Sequence, residues 1–310
     1  MKRLHFMLLV LAASAILVGC GGNTNQITPT VEAKTESAAD SRKNEEENAE
    51  NKPEPTEEAA AFEEITVIDN EKCLVKITDL DPDNGWGYTV KAYVENRSAE
   101  KNFMFSVKSA AVNGIETDPL FATTVAAGKK SREEISFFDQ SLYAPDVGNF
   151  TDIELVFLVT DSDDWSADNI AQETVHIYPY GEEKAAKYVR SAQPGDVVLA
   201  DNDAVSVIVT GVETNGFWGY TVNLYLVNKT DDELMFAVDD VSVNGFMADP
   251  FWASSVQGGK VSFSSMSWSS DTLEKNEITT VEEIEMTLRA SDYNNWSAPD
   301  VLNETVTFKP

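Results

Sequence analysis

An internal duplication is the feature that most limits how this chain can fold. The segment WGYTVKAYVENRS at 86–98 returns as WGYTVNLYLVNKT at 218–230, a shift of 132 residues. After one residue is lost in the next turn, the shift becomes 131 and holds without a gap from Phe103 and Leu234 to Pro310. Each copy has roughly 115 residues, an ordinary size for a domain with one core. The duplication therefore predicts two copies of one domain.

Apolar and polar residues alternate within each copy. This period of two is typical of a strand with one buried face. Turn dipeptides such as Asn113-Gly114 and Asn244-Gly245 separate the alternating runs. Seven or eight short strands per copy, with almost no helical period, predict an all-β fold of two tandem antiparallel immunoglobulin-like β-sandwiches. The clearest run carries these matched positions: Tyr88, Val90, Ala92 and Val94, then Tyr220, Val222, Leu224 and Leu226.

Composition sets the remaining boundaries. Residues 21–64 hold twelve acidic side chains and no aromatic residue before Phe62, so they bury too little apolar surface to offset chain entropy. We expect a disordered acidic tether there. Residues between the copies are rich in helix formers, which predicts one or two turns of helix. The predicted organisation is a signal peptide at 1–19, the tether at 20–62, the first repeat at 63–180, a short helical linker at 181–194 and the second repeat at 195–310.

The start of the chain has the pattern of a secretory leader. Lys2 and Arg3 precede an apolar run that is too short to span a bilayer. It ends in LVGC, Leu17 to Cys20, which resembles the lipobox of bacterial lipoproteins. The resemblance implies cleavage before Cys20 and diacylation of that cysteine, with an ordinary signal peptide as the alternative. We therefore expect a lipid anchor in the cell membrane and a protein on its extracytoplasmic face.

The repeats carry a second resemblance. Asn-(Arg/Lys)-(Ser/Thr) at 96–98 and 228–230 is followed in both copies by MF, VNG and DP(L/F)(F/W)A. This pattern is similar to repeats in uncharacterised bacterial surface lipoproteins of an immunoglobulin-like type. The resemblance covers both repeats and the lipobox and leaves out the tether. It implies a fold and a location, and it transfers no catalytic or binding residue.

Charge and residue types exclude several functions. The net charge of −30 argues against nucleic acid or anionic lipid as a partner, because both are polyanions. After the leader the chain has one histidine, His176, and the second copy places Thr307 there. No Ser-His-Asp set, Cys-His pair or histidine-based zinc cluster is therefore available. We predict that the protein is not an enzyme.

Four tryptophans are shared by the two copies. Aromatic rings serve equally to fill a core and to stack on sugar faces. Trp252 and Trp268 stand where the first copy has phenylalanine, which favours core packing for those two. The shared tryptophans are candidate ligand contacts, with packing in the core or a turn as the alternative: Trp86, Trp165, Trp218 and Trp296.

Two acidic segments are candidate calcium sites. Asp79, Asp81 and Asp83 alternate ahead of an Asn-Gly pair, as oxygen ligands do in an EF-hand loop. Such a loop needs glycine sixth and glutamate twelfth, whereas this one has asparagine and valine. The second copy also keeps the turn with fewer carboxylates, so a turn between strands is favoured and calcium is the alternative. The same alternative applies to the DSDDW cluster: Asp161, Asp163 and Asp164.

These observations lead to one hypothesis and two alternatives. The leading hypothesis is a lipid-anchored, extracellular, non-catalytic binding or adhesion module for an unknown protein or glycan ligand. The first alternative is a glycan-binding module that uses the shared tryptophans. The second is a structural spacer stabilised by calcium.

Overall fold

The computed structural model describes residues 62–144, 146–164 and 166–310. The predicted leader, Cys20 and all of the predicted tether except Phe62 lie outside these ranges. The described chain is built of strands, with one six-residue α-helix, α1 (Ser270–Lys275). This confirms the all-β prediction. Among the described residues, no helix has the length and apolar character needed to cross a membrane.

The first repeat folds into two antiparallel sheets. One sheet has the order β1-β2-β3-β7, and the other has the order β5-β4-β8-β9 with β6 also on β4. A 3-10 turn at Gln140–Tyr143 follows β7. The strands are β1 (Ile65–Asp69), β2 (Cys73–Asp81), β3 (Tyr88–Asn96), β4 (Phe103–Val112), β5 (Ile115–Thr117), β6 (Ala122–Val125), β7 (Lys130–Phe137), β8 (Ile153–Asp161) and β9 (Ala171–Ile177).

The second repeat has the same arrangement. Its sheets follow the orders β10-β11-β12-β16 and β14-β13-β17-β18, with β15 also on β13. Helix α1 takes the place of the 3-10 turn in the first repeat. The strands are β10 (Val197–Asp201), β11 (Val205–Gly216), β12 (Gly219–Asn228), β13 (Leu234–Val243), β14 (Phe246–Met247), β15 (Ser254–Val256), β16 (Val261–Trp268), β17 (Ile284–Asp292) and β18 (Leu302–Phe308).

Each repeat buries its own core between its two sheets. Burial of each large apolar side chain contributes about 1.5–3 kcal/mol. Cys73 lies fully buried in the first core, and its matched position in the second core is Val205. Burial raises the pKa of the Cys73 thiol. The cores therefore hold the described chain without a disulfide, and the period-two alternation marks their inward faces.

The strand order matches the immunoglobulin sandwich when the chain is followed backwards. A constant-type immunoglobulin domain has the sheets ABED and CFG. In the first repeat the same orders appear as β9-β8-β4-β5 and β7-β3-β2, with β1 added at one edge. The predicted β-sandwich is therefore confirmed, and its connections run in the opposite chain direction.

The Asn-(Arg/Lys)-(Ser/Thr) motif forms a buried clamp at the end of β3 and β12. The Nδ2 atom of Asn228 donates to the carbonyl oxygens of Asp232 (2.7 Å) and Val256 (2.8 Å), and its Oδ1 accepts from the amide of Thr230. Asn96 makes the equivalent bonds in the first repeat. A buried amide that loses such partners costs about 1–3 kcal/mol, which explains why both copies carry asparagine here.

The WGYTV motif requires its glycine. Gly87 has φ +96° and Gly219 has φ +102°, a conformation that residues with a side chain rarely adopt. A Cβ atom on Gly219 would lie 2.2 Å from the carbonyl oxygen of Trp268, and one on Gly87 would lie 2.1 Å from that of Phe137. The glycine therefore lets the hairpin approach the neighbouring strand closely in both repeats.

One continuous sheet joins the two repeats. Strand β16 pairs in parallel with β5, with Val261 opposite Ile115, and the amide of Val261 donates to the carbonyl oxygen of Gly114 (3.0 Å). Two side-chain contacts reinforce this junction. Lys260 forms an ion pair with Glu154, and Glu116 accepts a hydrogen bond from the amide of Gln257 (2.8 Å).

The linker packs along this junction and has little regular secondary structure. Its helical content is one 3-10 turn at Glu182–Lys184. Beyond this turn, the amide of Tyr188 donates to the carbonyl oxygen of Asn113 (2.7 Å) in the first repeat. The Tyr188 ring then packs against Tyr225 and Phe263 of the second repeat.

The close approach at Gly219 yields a stability prediction. Gly219→Ala should lower the free energy of unfolding by about 2–4 kcal/mol, because it combines backbone strain with a clash against the Trp268 carbonyl. Gly245→Ala is the matched control, since Gly245 has φ +82° with no atom within 4 Å of an added Cβ. The control should lose only about 1 kcal/mol in urea unfolding. Equal losses in the two variants would contradict the close approach.

The junction yields a pH prediction. Desolvation by burial, together with the nearby carboxylates of Glu233 and Glu154, raises the pKa of Glu116 from 4.5 to about 7. The folded chain thus holds this proton more tightly than the unfolded chain, and the resulting stability is present below pH 4.5 and lost as pH rises through about 7. Glu116→Gln should therefore make the melting temperature fall less between pH 5 and pH 8. Glu100→Gln, at an exposed turn, should follow the wild type. An unchanged pH slope in Glu116→Gln would refute the assignment.

Candidate functional site

The turn between β11 and β12 presents two aromatic rings to solvent. Gly216 and Gly219 face each other across a two-residue hairpin, which leaves Phe217 and Trp218 at its tip. Both side chains are exposed, Trp218 by 73 %, and their rings pack edge to face with centroids 4.8 Å apart. Exposed large aromatic side chains are costly to hydrate, so such a pair is typical of a binding surface.

A third aromatic ring lies beside this turn. Phe251 is 92 % exposed, although its backbone is fixed because its amide donates to the carbonyl oxygen of Ser267 on β16 (2.8 Å). Its neighbour Trp252 points the other way, packs against the core and donates from Nε1 to the Ser264 hydroxyl (2.8 Å). The backbone therefore holds Phe251 outward while the next residue anchors the segment.

These rings border a cleft of about 510 Å³ on the second repeat. Its floor comes from β16, whose residues alternate between core and surface. Met266 and Trp268 point into the core, and Ser265 and Ser267 lie on the opposite face of the strand. The cleft is lined by Trp218, Phe251, Ser265, Ser267 and Ser269.

The serine hydroxyls are held in defined orientations. The Ser265 hydroxyl donates to Oδ1 of Asn223 (2.9 Å), and the Ser267 hydroxyl shares a hydrogen bond with Thr221 (2.9 Å). The Ser269 hydroxyl accepts from the amide of Thr272 at the start of α1 (3.3 Å). Each hydroxyl retains further donor or acceptor capacity. The cleft thus has apolar walls and a row of hydroxyls, and none of the described residues that line it is ionisable.

The first repeat has a different surface at the matched positions. Trp86 is exposed there, as Trp218 is in the second repeat. Gly85 stands in place of Phe217, Leu120 in place of Phe251, and Glu134 in place of Ser265. Phe138 stands in place of Ser269 and is exposed. Two of the three aromatic rings and two of the three hydroxyls are therefore absent, and a carboxylate and a different aromatic ring are added. The copies have kept the turn and diverged in what surrounds it.

The structure does not bring the shared tryptophans of the second repeat together. Trp296 is 71 % exposed and lies in the turn after β17. Strand β17 ends at Asp292, opposite Leu234 at the start of β13. Trp218 lies at the other end of the sandwich, before β12 begins. Trp165 lies outside the described residues. Trp252 and Trp268 pack in or against the core, as the sequence predicts.

The candidate calcium ligands mostly have protein partners. The Lys91 ammonium lies 3.2 Å from Asp79 and 3.7 Å from Asp81, and Asp83 is exposed. Lys101 lies 2.7 Å from Asp161 and lowers the pKa of that carboxyl.

Within the second cluster the carboxylates accept local hydrogen bonds. Asp161 accepts from the amide of Asp163 (3.0 Å), and Asp164 accepts from the amide and hydroxyl of Ser166. In residues 62–144, 146–164 and 166–310, no group of three or more His, Cys, Asp or Glu side chains is arranged to hold a metal ion. Calcium binding at either segment stays a prediction.

Sequence reasoning missed part of the cleft. It named Trp218 and placed no functional weight on Phe217, Phe251 or the serines. The signal was present in SFSSMSWSS, where serine alternates with larger residues along one strand. The contact between Phe251 and Ser267 joins residues from separate segments, and the strand pattern alone does not predict it.

Comparison with known proteins adds little to this description. No protein-family profile matches the chain, and no curated protein matches it. A solved structure described as a crystal structure of a protein of unknown function from Porphyromonas gingivalis W83 is similar over 72 % of this chain and 91 % of that chain. The two share 12 % sequence identity with a TM-score of 0.20, a likeness too low to support any argument.

Proposed function

We propose that this protein is a non-catalytic binding module on the extracytoplasmic face of the cell membrane, and that the cleft of the second repeat binds its ligand. The observation that carries this proposal is the cleft itself. Trp218 and Phe251 stand exposed over a row of oriented serine hydroxyls. Concave sites with apolar walls and a few fixed polar groups are the usual form of small-ligand sites.

A neutral glycan is the ligand class that this chemistry fits best. A sugar ring offers an apolar C–H face that stacks on an aromatic ring, and hydroxyls that exchange hydrogen bonds with serine. The net charge of −30 opposes acidic polysaccharides. This proposal takes up the glycan-binding alternative with one of the shared tryptophans, Trp218, because Trp296 lies at the other end of the second repeat.

The described residues that line the cleft carry no ionisable group, which supports a non-catalytic role. General acid–base and nucleophilic catalysis need a titratable or activated group within reach of the reacting atoms. His176 lies in the other repeat, where its ring nitrogens face Asp152 (2.9 Å) and Glu154 (3.6 Å).

The membrane anchor and the family resemblance complete the proposal. LVGC at 17–20 supports diacylation of Cys20, and the acidic segment that follows supports a spacer between the lipid and the repeats. The shared repeat motifs support a place among surface lipoproteins with immunoglobulin-like repeats. A lipid-held module of this kind serves in binding or adhesion.

The ligand proposal predicts that two exposed tryptophans of the second repeat, Trp218 and Trp296, differ in their contribution to binding. Trp218→Ala and Phe251→Ala should each weaken binding of neutral polysaccharide about 10- to 100-fold, because truncation of a buried aromatic contact costs about 1–3 kcal/mol. Trp296→Ala is the matched control and should bind as the wild type. Isothermal titration against a glycan panel, with tryptophan fluorescence as a second readout, measures this. A flat response across the panel, or equal losses in Trp218→Ala and Trp296→Ala, would count against the site.

The anchor is tested separately. In a bacterial host the wild-type protein should partition into the detergent phase of a Triton X-114 extract, since its acyl chains bury methylenes at about 0.8 kcal/mol each. Cys20→Ser should move the protein to the aqueous phase. Cys73→Val, which installs the residue of the second copy, should leave the partition unchanged. Detergent partition of the Cys20→Ser protein would rule out lipidation at this residue.

A further inference from the structure

The junction between the repeats joins two different surfaces. The second repeat contributes the start of β16, and the first repeat contributes the turn and strand at β5. Because the repeats are copies, each of them carries both backbone edges, with Lys130 and Arg132 in the first repeat at the positions of Val261 and Phe263 in the second. Within the described chain, one edge of the β16 kind and one edge of the β5 kind have no partner strand from the other repeat. In the first repeat it is β7, which pairs only with β3, and in the second it is β14, which pairs only with β13.

The open edge at β7 has the backbone geometry of the paired edge at β16. The amide of Asn96 donates to the carbonyl oxygen of Lys129 (2.8 Å), as the amide of Asn228 donates to that of Lys260 (3.0 Å). Alternate residues of an antiparallel pair direct their amides away from the neighbouring strand. The amide of Lys130 therefore points outward, as the amide of Val261 does where it meets Gly114.

The open turn at β14 matches the paired turn at β5 equally well. Asn113 and Asn244 have φ of 52° and 51°, and the glycines that follow have φ of 81° and 82°. The carbonyl oxygen of Gly114 accepts from Val261, and Gly245 presents the same group in the second repeat. An identical backbone acceptor is therefore available for a second strand.

Each residue of the junction ion pair has a matched copy on an open surface. Lys260 and Glu154 form the pair that joins the repeats. Their matched residues are Lys129 in the first repeat and Glu285 in the second, and both side chains are exposed. Next to Lys129, basic residues continue at Lys130 and Arg132, before Glu133 and Glu134, and next to Glu285 acidic residues lie at 282 and 283. The charges at the start of β7 therefore complement those near Glu285.

Apolar surface is exposed at the open turn. Ile115 is fully buried, with Val261 and Phe263 packed against its cluster. Its matched residue, Phe246, is 52 % exposed, and the adjacent Met247 is 66 % exposed. Large apolar groups at a strand edge are a template for pairing with another chain.

We propose that a second copy of this protein docks head to tail, with β7 of one molecule parallel to β14 of the next. Lys129 of one copy would then pair with Glu285 of the other, and Phe246 would be covered. The two surfaces differ, so an assembly of any length still has a free β7 edge at one end and a free β14 edge at the other. Association therefore continues into rings or filaments. The contact lacks the linker that carries Tyr188, so it is weaker than the internal junction and depends on concentration. Anchoring many copies in one membrane raises that concentration.

Sedimentation velocity tests the proposal on the mature chain from residue 20, with Cys20→Ser so that no acyl chain contributes. At about 0.15 M salt, where charges are screened beyond about 8 Å, the average mass should rise above one chain between ~5 and ~500 µM. Lys129→Glu and Glu285→Lys should each weaken association at least about tenfold. The double variant with both changes should recover it, and so should an equimolar mixture of the two single variants.

Controls separate this contact from general aggregation. Lys275→Glu makes the same charge change on exposed α1 and should associate as the wild type. A wild-type protein that stays monomeric over the whole range would overturn the proposal. So would a Lys129→Glu protein that associates normally, or a failure of both the double variant and the mixture to recover association.

Discussion

The pairing of β16 with β5 is the interaction on which the rest of the structure depends. Strand β16 bonds to β12 on one side and meets β5 at its first residue, so a single sheet runs through both repeats. Its inward residues fill the second core, and its outward serines form the floor of the cleft. One strand thus carries the junction at Val261 and two residues of the candidate ligand surface, Ser265 and Ser267.

The fold class was predictable because a strand with one buried face has an apolar residue at every second position. The alternation at Tyr88 to Val94 specifies which face of β3 is covered, whatever lies opposite. The Asn-Gly turns and the glycine of WGYTV were also visible, since few residues accept positive φ. Comparison of the copies favoured a turn over a calcium loop at Asp79, and the ion pairs of Lys91 agree with that interpretation.

The neighbours of each strand were not predictable in the same way. A period of two carries no information on strand order, so the reversed connection of the sandwich appears only in the structure. The linker sequence favours helix, but beyond Lys184 the amide of Tyr188 bonds to the first repeat and not to a helical turn. The cleft depends on Phe251 reaching β16 from a separate segment, and the junction depends on residues that look like ordinary surface positions. Duplication preserved the scaffold, and divergence at Phe251 and Ser265 gave the second copy its own surface.

Amide hydrogen exchange, followed by NMR in dilute solution, tests the continuous sheet most directly. The Val261 amide donates to Gly114 across the junction, whereas the matched Lys130 amide faces an open edge. The structure predicts that Val261 is protected to the same degree as the interior amides of β16 and that Lys130 exchanges rapidly. Rapid exchange at both amides would contradict a shared sheet and would leave the repeats as separate sandwiches on a linker.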